Sequence, residues 1–111
     1  HFKEIGERLG PIDISFIKIG DYGLDLGWQD IHMNPENSIK AHMDLGAATL
    51  FPIHWGTFQL SNHDWDEPIN RATAAAVKNN VTIVTPKLGE KVTFGEPFQN
   101  TRWWESISNA Q

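Results

Sequence analysis

The sequence predicts an α/β fold in which strands alternate with helices, and three observations carry that reading. The apolar run from Ala47 to Ile53 has the length and continuity of a buried strand. Directly before it, residues 34 to 46 hold a full set of helix start and stop signals. Earlier still, Ile12 to Ile19 alternates apolar and polar through Phe16 and then runs on, as a second strand would. Strand, loop, helix, strand is the order of a right-handed crossover between two parallel strands.

Along the chain, Phe2, Ile5 and Leu9 fall at i, i+3 and i+7 with charges between them, a short amphipathic helix stopped by Gly10-Pro11. Gly20 closes the first strand. Asp21 to Ile31 fits neither period, and its two glycines and three aspartates mark a loop long enough for a binding role. Those aspartates offer oxygens to a hard cation, but their spacing lacks the order of a calcium loop, and solvated loop acids are the simpler reading. Asn34 is then a good N-cap and Pro35 suits the first helical position, while Glu36 favours the helix dipole. The helix carries Ile39, Met43 and Leu45 and stops at Gly46. His42 lies inside it as a surface or packing residue.

Beyond Phe58, the run Gln59 to Glu67 contains His63, Asp64, Trp65 and Asp66. His-x-x-Asp is too short to make a metal site by itself. Asp66 and Pro68 resemble an N-cap region for an alanine-rich helix from Ile69 to Asn79, with Ile69, Ala72, Thr73, Ala76 and Val77 on one face. Val81 to Val84 reads as a short strand, Pro86 to Glu90 as a turn, and Lys91 to Phe94 as a further strand. One of the adjacent Trp103 and Trp104 must face the core or a partner. No repeat, low-complexity segment or linker interrupts the chain.

At 111 residues this is one domain or a piece of one. Net charge is −5, and no basic patch exists to track phosphates, which argues against nucleic acid as a partner. There is no cysteine, so a thiolate metal site is excluded. Nothing approaches the apolar run of a membrane span, and no secretory signal is visible, so a cytoplasmic location is the expectation. The chain opens on His1-Phe2-Lys3 without an initiating Met, as a fragment would.

The stretch that points to chemistry is Phe51-Pro52-Ile53-His54-Trp55-Gly56-Thr57-Phe58. A strand end is where a rigid sheet hands over to a loop, a favoured place for a functional side chain. Gly56 lets the chain turn away and leaves the His54 imidazole at the sheet edge. There it is a candidate metal ligand or general acid/base, or else a histidine hydrogen-bonded into the rim of the core.

Phe2-Lys3-Glu4-Ile5-Gly6-Glu7-Arg8-Leu9-Gly10-Pro11-Ile12-Asp13, Ile19-Gly20-x-Tyr22, His32-Met33-Asn34-Pro35-Glu36, Ile53-His54-Trp55-Gly56-Thr57-Phe58 and Asp66-Glu67-Pro68 follow one another in this order. Together they resemble the C-terminal half of a metallo-β-lactamase-fold hydrolase, closest to the N-acylphosphatidylethanolamine-hydrolysing phospholipase D group. The resemblance runs from residue 1 to about residue 94. It implies half of an αβ/βα sandwich over residues 1–111, with the N-terminal half of the same fold as its missing partner. It also implies a dinuclear zinc site, most of whose ligands come from a His-x-His-x-Asp-His motif that this chain lacks. A further histidine and the aspartate of a Gly-Asp-Ser/Thr-Gly-Tyr segment are likewise absent. The last ligand falls on His54. The histidine of the His-x-x-Pro-Glu segment falls on His32, beside the metals, where it assists catalysis. The chain departs from its relatives at Asp21 and through Gly27, where a small residue and a more aromatic loop are common.

The function this implies is zinc-dependent hydrolysis of an ester or phosphodiester, with a small-molecule or lipid-like substrate, and inactivity of residues 1–111 alone. The alternative is a non-catalytic α/β binding or assembly domain. Sheet surface left open by the missing half would also permit a homo-oligomer.

Overall fold

The computed structural model describes residues 1–23, 27 and 31–108. Among them the elements run α1 (Phe2–Leu9), β1 (Ile12–Lys18), α2 (Pro35–Leu45), β2 (Ala47–Ile53), α3 (Glu67–Lys78), β3 (Thr82–Ile83) and α4 (Trp103–Ser108). The sheet has the order β1-β2-β3 and both pairings are parallel. Ser15 pairs with Leu50 and Ile17 with Pro52, so the buried residues of the two long strands share one face. The α/β alternation expected from the sequence is the observed architecture.

Helix α2 begins and ends where its sequence says it should. The Asn34 side chain accepts the Asn37 amide at 2.8 Å, and Gly46 takes the left-handed conformation (φ 66°) that closes α2. Helix α3 begins two residues earlier than its apolar pattern, after Asp66 and with Pro68 in its first turn. The Asp66 carboxylate does not cap α3; it accepts the Ser108 hydroxyl of α4 at 2.6 Å.

Two apolar clusters form between the helices and the sheet. Ile17, Ile39, Ala41, Leu50 and Ala76 make the first, flanked by Phe2 and Leu45. Ile19, Ile69, Ala72 and Trp104 make the second, which lies under the end of β1 and is flanked by Trp55, Trp65 and Trp103. On the other face of the sheet Phe16 and Phe51 sit 5.1 Å apart, with Phe94 reaching Phe16 from the C-terminal region.

Two expectations are corrected. Lys91 to Phe94 is not a strand. The outer edge of β3 is taken by Asn100, whose side chain accepts the Thr85 amide at 2.8 Å and donates to the Ile83 carbonyl at 2.7 Å, so the ladder positions are filled by an amide. Val77 does not line the core and is 80% exposed. The face that packs is Ile69, Ala72 and Ala76. Among the described residues no helix is long and apolar enough to cross a membrane.

Candidate functional site

The carboxyl ends of β1 and β2 lie side by side, held by the Ile19 amide donating to the Ile53 carbonyl at 3.0 Å. In parallel sheets this is the end that hosts chemistry. The backbones approach so closely that a Cβ on Gly20 would run into the His54 carbonyl oxygen. Asp21 follows Gly20, as His54 follows Ile53, and both residues have positive φ, 59° and 63°. Their side chains meet: the His54 Nδ1 is 3.4 Å from the Asp21 Oδ2. The imidazole is half exposed, whereas the Asp21 carboxylate is largely covered.

His32 arrives from the other side. Lys18, near the end of β1, donates to the Ile31 carbonyl, and Asn34 begins α2 two residues after His32. These contacts bring the His32 ring to 5.5 Å from that of His54, the two rings stacked at 27°. The two candidates chosen from sequence thus occupy one place. Asp21 is not a solvated acid, which corrects the reading of that loop at its first residue; Asp25 and Asp30 lie outside the described residues.

His63, whose short spacing to Asp66 makes no metal site by itself, is part of the same site. Its Nε2 accepts the Asp21 amide at 3.1 Å, and its Nδ1 lies 2.9 Å from the Asp64 carbonyl, so Nδ1 carries the proton. Tyr22 stacks on its ring at 4.3 Å. The Tyr22 hydroxyl donates to Glu67 at 2.7 Å, under the Arg71 guanidinium. Arg71 in turn makes a bidentate pair with Glu36 (2.9 and 2.6 Å) and reaches Glu67 at 3.1 Å. One arginine therefore ties the starts of α2 and α3 to the segment that carries Asp21. Burial, reinforced by the hydrogen bond to Glu67, pushes the Tyr22 hydroxyl pKa up and keeps it a donor. Arg71 holds the Glu36 carboxyl below the usual carboxylate range, and the Tyr22 hydroxyl followed by Arg71 does the same for Glu67.

Behind His54 stands a tryptophan cluster. Trp55 stacks on Trp103 at 5.4 Å and meets Trp104 edge-on at 5.7 Å. The Trp104 indole donates to Asn70 at 2.8 Å and the Trp103 indole to the Thr85 carbonyl at 3.2 Å. Gly56, at φ 76°, turns the chain away.

In front of His54 and His63 lies a cleft of about 280 Å³ whose walls also include Asp21, Trp55, Phe58 and Leu60. A larger cavity, about 820 Å³, opens at the other ends of the strands beside Asp13, Thr82 and the 92–98 segment. It contains none of the histidines, so the smaller cleft is the candidate site.

A family profile described as a beta-lactamase superfamily domain matches residues 1–55, a span that holds both His32 and His54. Over those residues the chain is similar to the β-lactamase superfamily. An uncharacterized Mycobacterium tuberculosis protein is 42% identical over 106 residues, 93% of this chain and 28% of that protein. The N-acyl-phosphatidylethanolamine-hydrolyzing phospholipase D 1 of Caenorhabditis elegans is 36% identical over 64 residues, covering 58% of this chain and 18% of its own. The mitochondrial enzyme of the same description from Saccharomyces cerevisiae is 34% identical over 68 residues, 60% of this chain and 14% of its own. The chain therefore spans 28% or less of each of these three relatives.

The superfamily implies a metal, and the donors present suit one in kind. Neutral imidazole and carboxylate are zinc ligands. They do not suffice in number: among the described residues no group of three or more histidine, cysteine, aspartate or glutamate side chains is arranged to hold a metal ion.

Proposed function

We propose that the protein is a zinc-dependent hydrolase of an ester or phosphodiester, and that this chain supplies the C-terminal half of its domain. The observation that carries the reading is the meeting of His32 and His54 at the carboxyl ends of two parallel strands, beside a cleft with an apolar wall. In this reading His54 donates one ligand of a dinuclear site, and the remaining ligands come from outside the described residues. Zinc, when bound, activates water near neutral pH. His32, one ring away from His54, holds the proton that the leaving oxygen takes up. Exposed Phe58 and Leu60 at the mouth of the cleft receive the apolar part of a lipid-like substrate. The lipid named in the descriptions of the worm and yeast relatives supports that choice.

The test separates the two histidines in the zinc-loaded protein. His54→Ala is expected to lower bound zinc and turnover of N-acylphosphatidylethanolamine together. His32→Ala is expected to keep its zinc while turnover falls ~100-fold or more, the usual scale for a lost general acid. Metal analysis and steady-state rates decide it. Full zinc occupancy in His54→Ala removes the metal assignment, and an active His32→Ala removes the acid.

Residues 1–111 alone are a second test. With fewer than three convergent donors among the described residues, they are expected to bind zinc weakly and to hydrolyse nothing. Tight stoichiometric zinc binding by calorimetry counts against this.

A further inference from the structure

We infer that Asp21 is a positioning residue for His54, fixing which imidazole nitrogen carries the proton. The carboxylate lies 3.4 Å from Nδ1. An acceptor at that distance, looser than a close hydrogen bond, favours the proton on Nδ1 and leaves the lone pair on Nε2, the nitrogen that remains to face a ligand. The burial is asymmetric in the sense this requires, with Asp21 14% exposed behind an imidazole that is 46% exposed. A carboxylate acting by itself on solvent or substrate would be the more open of the two.

The backbone is committed to this contact. Asp21 and His54 both hold left-handed conformations, and such residues persist where the surroundings over-determine them. Asp21 is held on three sides. Gly20 presses against the His54 carbonyl, the Asp21 amide donates to His63, and Tyr22 is clamped by Glu67 and Arg71. The contact also joins two strand ends, so it sets the imidazole plane relative to the sheet. This inference rests on the zinc reading for its consequence, but not for its test.

Protein labelled with nitrogen-15 histidine shows, in long-range proton–nitrogen spectra at alkaline pH, which ring nitrogen of each histidine is protonated. Wild-type His54 is expected to be protonated on Nδ1, and Asp21→Ala to move the proton to Nε2. His63 reports on the local fold, because its partner is the Asp21 backbone amide, which the substitution leaves in place. A wild-type His54 protonated on Nε2 overturns the inference. So does an Asp21→Ala variant with unchanged His54 and intact His63 signals. Should Asp21→Ala disturb His63 as well, Asp21→Asn decides: it keeps an acceptor oxygen within the same reach and should retain Nδ1–H, and loss of that proton overturns the inference. In the zinc-loaded protein Asp21→Ala should also weaken zinc ~10- to 100-fold, the usual effect of losing a ligand's supporting partner. If zinc leaves the His54 signals unmoved while the tautomer still depends on Asp21, the hydrolase reading fails and the positioning role stands.

Discussion

His42 sits inside α2 with its ring buried, and Ser15 Oγ lies 2.7 Å from its Nδ1. Burial holds its pKa below the ordinary imidazole value of 6.5. The folded pKa is therefore lower than the unfolded one, and as pH falls the unfolded chain takes up the proton first. Stability contributed by the neutral ring is lost as pH drops below about 6.5, down to the folded pKa. The paired carboxylates Glu36 and Glu67 act in a separate window, since their depressed pKa values matter only as pH falls through about 4.5. Urea midpoints measured between about pH 7 and pH 5.5 should fall in the wild type and fall less in His42→Gln. An equal slope in both would show that this ring does not titrate with folding. His54 was legible in the sequence because it stands at a strand end, whereas His32 entered through the family resemblance. Asp21 and His63 were not legible. Their contact spans 42 residues, and nothing in the spacing of either segment announces it. The available hint was that Asp21, like His54, directly follows the closing residues of a strand.

At the scale of elements, α4 is the least expected, and it reaches the site through the stack on Trp55. Its six residues would be marginal as a helix alone, so its stability comes from what it buries. Trp104 is among the most deeply buried large side chains and packs on Ile19, Ile69 and Ala72. Trp104→Ala should cost ~3–5 kcal/mol by urea unfolding. Val77→Ala, on the exposed side of α3, should stay within ~0.5 kcal/mol. A small loss at Trp104 would mean that α4 does not anchor the second cluster. The caps of α2 and the alternation in β1 could be read directly, because they are local. The edge of β3 could not, since the competition there is between a strand-like segment and the Asn100 side chain, decided by three-dimensional reach.

For the whole molecule, the helices among the described residues cover one face of the sheet. Helices α2 and α3 bury Ile17, Leu50 and Ala76, while Phe16 on the opposite face is 52% exposed and Ile53 at the strand end is 40% exposed. Phe94 covers part of this face by an edge contact 6.2 Å from Phe16. A sheet with one apolar face open is stable in water when another layer takes that face, and the proposed second half of the sandwich is such a layer. Residues 1–111 on their own are then expected to associate through it, as exposed apolar patches do. Sedimentation should show a mass that rises with concentration, and Phe16→Glu should shift it toward the monomer while leaving the helix-covered core intact. A wild-type chain that sediments as a compact monomer at every concentration, and unfolds cooperatively, would place the stability of this fold in the observed layers alone. It would remove the need for a second half and favour a self-contained binding domain.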